Sequence, residues 1–302
     1  MHWTERSKDS PLDTHPLDVV SHLWNGRSDV FPGPQPTSIE RQHFEILKKK
    51  KYFICDKTDG DRYAFICCTI DDKRIACVID RKLKCSLLHM RVPRECAKGT
   101  ILDGEIIQDC NGSWIFLVYD CIAMCGKPVN TRTFEERMTY TNTFIDSYKI
   151  CESDALLFQK KDMYPLERIT LFLAQTRSYN TDGVILIPND DHVRVNTHPF
   201  YFKLKNGHEN TVDFYIDEKG VLFLQTKGIL KKTINVIKDG SADHIPRPSV
   251  IECKYVKDRE WTYCRHRTDK ILPNSMYTHK KTMLNIKENI QISELQDMIG
   301  VS

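Results

Sequence analysis

From position 52 onward, short apolar and β-branched runs alternate with polar turns. Tyr52–Cys55, Tyr63–Ile70, Arg74–Ile79, Thr100–Ile107 and Trp114–Ala123 predict a largely antiparallel sheet, with Asp59-Gly60 as a turn after the first run. Helical periodicity follows over 133–148 and 165–177. The second of these starts at Pro165 and places Leu166, Ile169, Phe172 and Leu173 on one side. Strands resume at Gly183–Ile187 and Phe200–Lys205. Ahead of the sheet, Thr37 and Glu40 have capping-box spacing, and Ile39, His43, Phe44 and Leu47 fall on one helical face. Lys48 to Lys51 then complement that helix's C-terminal dipole and stay solvated. Residues 1–30 are polar and irregular, and read as a peripheral arm. Phe31-Pro32-Gly33-Pro34-Gln35-Pro36 is a rigid lead-in.

After Asn206-Gly207 the strands become compact: Thr211–Ile216, Val221–Gln225, Ser249–Val256 and Trp261–Arg265 suit a small Greek-key barrel such as an OB-fold. Ser293-x-x-Gln296 reads as a second capping box, opening a helix with Leu295 and Ile299 on one face. The expected fold is α+β, with antiparallel sheets and a C-terminal OB-fold barrel. Its divisions are an arm over 1–30, a first domain over 31–210, the barrel over 211–280, and a helical segment over 281–302 that packs back on the first domain.

Composition narrows this picture. A chain of 302 residues with 40% hydrophobic content can bury a sizeable core. Its net charge of +3, from 44 basic and 41 acidic residues, does not advertise a whole-surface nucleic-acid binder, although it leaves room for a local basic channel. The 12 cysteines, among them Cys67, Cys68, Cys77, Cys110 and Cys253, form no Cys-x-x-Cys pair and read as buried free thiols in a reducing compartment. No apolar run is long enough to span a membrane, and Met1-His2-Trp3-Thr4-Glu5-Arg6 is no signal peptide, so secretion is not expected. Asn111-Gly112-Ser113 reads as a turn. The 11 histidines show no ligand spacing for zinc.

The candidate chemistry starts at Lys57-Thr58-Asp59-Gly60-Asp61-Arg62, where a lysine stands at the junction of a strand and a loop. A deprotonated amine there is a covalent nucleophile; a protonated one is the solvated lysine of an ordinary hairpin. Further segments downstream each begin or end a β-like run: Leu102-Asp103-Gly104-Glu105, Phe116-Leu117-Val118-Tyr119-Asp120, Asp182-Gly183-Val184-Ile185 and Phe202-Lys203-Leu204-Lys205. The last is Trp261-x-x-x-Arg265-x-Arg267-Thr268-Asp269-Lys270 with Pro273-Asn274. Taken singly these are turns and solvated strand faces. Together they place charge at the mouth of one sheet.

In order and spacing the set resembles the collinear motifs of the covalent nucleotidyltransferases, the superfamily of ATP-dependent ligases and mRNA capping guanylyltransferases. Phe31-Pro32-Gly33 with Gln35-Pro36, Thr211-Val212-Asp213-Phe214 and the closing Arg-x-Arg-Thr-Asp-Lys stretch are similar to the capping branch. Lys281-Thr282-Met283-Leu284-Asn285-Ile286 resembles the compact capping enzymes of large DNA viruses of algae. The resemblance implies that Lys57 attacks the α-phosphate of GTP. It implies that Arg62 and Glu105 hold the ribose hydroxyls, that Tyr119 and Ile185 flank guanine, and that Lys161, beside Lys160, reads guanine O6. It also puts Arg81 in the GTP-binding set.

Charge considerations agree with the remaining roles. Lys203 and Lys205, at period two, can flank the α-phosphate and favour the neutral, attacking amine of Lys57. Glu105, Asp182 and Asp120 are the carboxylates for a Mg²⁺ or Mn²⁺ ion, Asp182 foremost. Arg267 and Lys270, assisted by Asp269 and Arg265, can reach the β- and γ-phosphates if the second domain closes. The expectation is an mRNA guanylyltransferase acting on GTP and 5′-diphosphate RNA. Its triphosphatase and methyltransferase partners are expected on separate chains, with the phosphorylated polymerase tail as a further contact. The setting is a nucleus in a cell, or a cytoplasmic factory for a virus. An ATP-dependent polynucleotide ligase using the same Lys57 and a non-catalytic OB-containing RNA-binding protein are the other readings.

Overall fold

Strand alternation decides the first sheet: along β3 (Asp61–Ile70), Phe65 and Cys67 enter one core while Ile66, Cys68 and Ile70 enter another on the opposite face. The computed structural model describes residues 14–24, 27–151, 154, 156–205, 210–238 and 244–300. Along it run α1 (Pro16–Val20), β1 (Pro34–Ser38), α2 (Phe44–Lys49) and β2 (Tyr52–Thr58), followed after β3 by β4 (Lys73–Asp80) and β5 (Cys85–Leu87). Next come β6 (Thr100–Gln108), β7 (Trp114–Met124), β8 (Lys127–Pro128), α3 (Phe134–Ser147) and β9 (Leu157–Lys160). β10 (Tyr164–Pro165), α4 (Ile169–Leu173), β11 (Thr181–Pro188) and β12 (Asn196–Leu204) complete this part.

Two sheets result. One has the order β5-β4-β3-β6-β7-β8, with β9 alongside β7; the other has the order β1-β12-β11-β2-β10. Each carries one irregularity that matters for the site. Between Thr181↔Thr58 and Val184↔Asp56, β11 spends Asp182 and Gly183 opposite Lys57 alone. Between Asp103↔Asp120 and Gly104↔Val118, β7 spends Tyr119 as an extra residue. A bulge of this kind bends its strand and re-aims a side chain. Gly183 sits at φ 141°, which favours glycine.

The remaining strands are β13 (Thr211–Ile216), β14 (Leu222–Thr226), β15 (Ile229–Lys232), β16 (Val236–Ile237), β17 (Ser249–Lys257) and β18 (Glu260–His266). They form a six-stranded sheet in the order β15-β14-β13-β17-β18-β16. Its core is Val212, Phe214, Ile216, Leu222, Leu224, Ile251 and Cys253 around Trp261, which is fully buried and donates its indole N–H to Asn235. Two helices close the chain, α5 (Met276–Glu288) and α6 (Ile292–Ile299). The architecture is mixed α+β with mainly antiparallel sheets and an OB-like C-terminal part.

The chain divides into two compact units, one holding the chain up to Thr37 with Glu45–Lys203, the other Ser38–Phe44 with Leu204–Gly300. Ser38–Phe44 was expected in the first domain. It belongs with the second because Glu288 and Glu294 bind Arg41 and Lys281 binds Glu40. α5 packs on β13 and β14 within that unit.

Several local expectations need correction. Leu17, Val20, Leu23 and Trp24 are not part of a loose arm. They are buried against Ile66, Cys68 and Ile79; residues 1–13, 25 and 26 lie outside the described part. Thr37 is in β1, and the first capping box is Glu40 with His43. The second is Gln291 with Glu294, so α6 opens earlier than Ser293. α4 stops at Leu173 because the Arg177 guanidinium takes the Phe172 carbonyl while gripping both oxygens of Asp56. Cys110 is exposed rather than buried.

Candidate active site

Lys57 is the penultimate residue of β2, which ends at Thr58 before Asp59-Gly60 turns the chain. Six of the seven β2 residues are buried and Lys57 is the exception. Its Nζ donates to Asp182 Oδ1 at 2.5 Å, both side chains being 21% exposed. The β11 bulge supplies that carboxylate, since Asp182 and Gly183 both face Lys57.

Arg62 lies on β3, beyond the Asp59-Gly60 turn and directly opposite Glu105 of β6. It donates from Nε and Nη2 to the two oxygens of Asp103 and from Nη1 to the Pro34 carbonyl, the last at 2.7 Å. Its guanidinium carbon sits 5.1 Å from the Phe31 ring and 5.6 Å from that of Tyr119. Burial works against the charge and Asp103 more than offsets it, so the Arg62 pKa is raised. Of five guanidinium N–H groups three are engaged, leaving one on each terminal nitrogen for a ligand. A side chain at Gly33 would overlap Asp103 and Arg62, which accounts for a glycine in the Phe31-Pro32-Gly33 lead-in.

Lys161 is 2% exposed, bonds Thr58 Oγ1, approaches Glu105 Oε2 at 3.4 Å and lies 5.5 Å from the Tyr119 ring. Lys160 is exposed. Of the two lysines, Lys161 is the one turned toward Thr58, Glu105 and Tyr119. Tyr119, pushed out of register by the β7 bulge, is thus flanked by Arg62 and Lys161, and burial holds its phenol well above the usual range. Ile185 pairs with Cys55 on the strand next to Lys57 and packs against the cluster of Phe53, Cys55 and Phe134. Lys203 is on β12, one strand beyond β11, and is half-buried; Lys205 lies just past the end of β12. Arg81 is exposed in the turn after β4, outside this cluster.

The proposed metal trio does not converge. Asp120 is 2% exposed, and both its oxygens are taken by Arg137 of α3 at 2.7 and 2.9 Å; Arg137 also donates to the Tyr201 hydroxyl at 3.0 Å. Glu105 faces Lys161, and Asp182 faces Lys57. Among the described residues no cluster of three or more Asp, Glu, His or Cys could hold an ion.

In the second unit, Arg267 Nη1 donates to Asp213 Oδ1 at 2.8 Å, Lys270 bonds the other Asp213 oxygen, and Arg267 forks onto Asp269 at 2.9 and 2.8 Å. Hydrogen bonding to Arg267 holds the Asp269 carboxyl far below its usual range. Arg265 pairs with Glu252 at 2.6 Å. Asp103, Thr58 and Asp213 were missed as individual site residues. Period-two spacing from Glu105 puts Asp103 on the same strand face, and that signal was available.

The sequence matches the mRNA capping enzyme catalytic domain over residues 12–207 and the mRNA capping enzyme C-terminal domain over residues 200–296. The chain belongs to the mRNA capping enzyme family. The mRNA-capping enzyme subunit alpha of Neurospora crassa is 31% identical over 219 residues, which are 63% of this chain and 54% of that protein. The chain thus spans about half the length of that relative. The mRNA-capping enzyme subunit alpha of Yarrowia lipolytica is 26% identical over 340 residues, 95% of this chain and 87% of that protein. Among solved structures, mycobacterial DNA ligase D complexed with ATP and MES aligns over 80% of this chain and 96% of its own, at 14% identity and a TM-score of 0.43.

Proposed function

We propose that this capping-family protein is an mRNA guanylyltransferase that works through a lysyl-GMP intermediate. The observation that carries the reading is the Lys57–Asp182 contact at 2.5 Å, at the one partly exposed position of a buried strand. Lys57 Nζ attacks the α-phosphorus of GTP, the N–P bond forms, and the bond to the bridging oxygen breaks to release pyrophosphate. The ammonium proton passes to Asp182 Oδ1, the acceptor already in place. Arg62 and Glu105 hold the ribose, the Tyr119 ring stacks on guanine, and Lys161 donates to guanine O6. Lys203 and Lys205 stabilise the charge on the α-phosphate.

In the second half-reaction, a β-phosphate oxygen of a 5′-diphosphate RNA attacks the same phosphorus. The N–P bond breaks, Lys57 takes back a proton, and a 5′–5′ triphosphate cap forms. A divalent ion would neutralise phosphate charge here. Mg²⁺ commonly uses one or two carboxylates together with substrate phosphates, and Asp182 is the carboxylate suited to that role. The RNA acceptor is a triphosphatase product, and the cap a methyltransferase substrate. This reading assigns both steps to partner proteins, in a nucleus or a viral factory.

The test is incubation with labelled GTP or ATP, a denaturing gel, and a chase with diphosphate RNA. The expected result is labelling by GTP alone, chased into RNA. Labelling by ATP, chased into sealed polynucleotide, would instead favour a ligase.

A further inference from the structure

On the first unit a cavity of about 320 Å³ opens at the end of β3 remote from Arg62. Its rim carries His22, Arg74, Arg94 and Lys98, all exposed, and its floor includes Val20 and Ala97. Lys98 is paired with Glu95, whereas Arg74 and Arg94 make no ion pair among the described residues. Three separate elements converge to make this rim: the 3-10 helix Ser21–Leu23 after α1, β4, and the 3-10 helix Arg94–Lys98. Cys68 also lines the cavity, and by period two it shares a face of β3 with Arg62. Six residues of strand put the cavity roughly 20 Å from Arg62 along that face.

A rim of cations drawn from separate elements matches a phosphate of a polynucleotide, held by the guanidinium groups. We propose that this cavity binds a phosphodiester of the RNA substrate several nucleotides from its 5′ end, with Arg74 and Arg94 as the phosphate contacts. The proposal rests on the guanylyltransferase reading for the identity of the polymer. It adds a contact that acts on RNA affinity and not on the chemistry at Lys57. A single-stranded RNA held this way is gripped without regard to sequence, and the grip weakens with salt.

The experiment compares wild type with an Arg74→Ala/Arg94→Ala variant. Binding of a fluorescent 5′-hydroxyl RNA, which cannot accept GMP, is read by anisotropy over a salt series. Formation of the GMP adduct is measured alongside and is expected to be unchanged, which also shows that the variant folds. The variant should bind RNA more weakly for every sequence, and its slope of log affinity against log salt should fall by about 0.7 for each lost phosphate contact. Unchanged affinity and slope would overturn the proposal. So would displacement of the RNA by a phosphoserine peptide that the double variant no longer binds, since the cavity would then serve a phosphopeptide. Failure of the wild type to form an adduct would remove the guanylyltransferase reading, while the RNA-binding comparison would still decide the fate of the cavity.

Discussion

Lys57 shows how one residue acquires a role from its surroundings. A lysine on a strand that is otherwise buried must find an acceptor, and the β11 bulge supplies Asp182. A second buried residue links stability to pH. His198 is fully buried, with Nε2 on the His192 carbonyl at 3.1 Å and Nδ1 accepting from the Phe200 amide at 3.1 Å, so the neutral tautomer satisfies both. Burial lowers its pKa, the His192 carbonyl only partly opposing this, and burial lowers those of His43 and His279 as well. The fold disfavours protonation of these imidazoles relative to the unfolded chain, so the unfolded state binds more protons in acid. Stability is therefore present above the unfolded pKa of about 6.5 and is lost as pH falls through and below it. Urea melts on both sides of that pH should show a larger acid loss in wild type than in His198→Gln. An equal loss in both would assign the acid sensitivity to other groups. At this scale Lys57, Glu105 and Tyr119 were nominated by the motifs they stand in and by the family those motifs resemble. Asp120 was nominated on type alone, and nothing local to it announces Arg137.

Arg137 belongs to the scale of elements. α3 is capped by Thr133 and Glu136 and buries Phe134, Arg137, Thr141 and Phe144 at helical spacing, so its one buried cation must meet a counter-charge. Asp120 on β7 and Tyr201 on β12 provide the bonds, which ties the helix to a strand of each sheet in the first unit. Asp120→Ala should lower the unfolding free energy by about 3–5 kcal/mol, the cost of stranding a buried charge. The same variant should leave the divalent-ion requirement of any remaining folded protein unchanged. An intact melt with an altered ion requirement would restore Asp120 as a ligand. Strands with clean alternation were read within a residue or two, and Thr211–Ile216 matches β13 residue for residue. The bulges at Asp182 and Tyr119 were not: around Tyr119 one extra residue leaves no mark on a pattern that is continuous on both faces, and Thr181-Asp182-Gly183 is a polar stretch with no alternation to interrupt. The short edge strands β15 and β16 were missed for a related reason: Ile229–Lys232 is exposed along its whole length and carries no alternation to detect.

At the scale of the whole molecule, the proposed roles divide between the two units. The first holds Lys57 and the groups around it; the second holds Arg267 and Lys270, both gathered on buried Asp213. Cations that serve only the β- and γ-phosphates matter while pyrophosphate is attached. Arg267→Ala or Lys270→Ala should therefore slow adduct formation by about 10²–10³-fold, the usual loss for a removed transition-state donor. Decay of preformed adduct on adding diphosphate RNA should change far less. Equal losses in both steps would mean that these residues also position RNA. Every one of these functional expectations depends on a covalent bond at one atom. The most direct test is to expose the protein to GTP, digest it and locate the nucleotide by mass spectrometry. The predicted result is GMP in an acid-labile linkage on the peptide containing Lys57, absent from Lys57→Ala and from Lys57→Arg, whose guanidinium stays protonated. GMP on any other residue, or AMP on Lys57 when both nucleotides are offered, would contradict it.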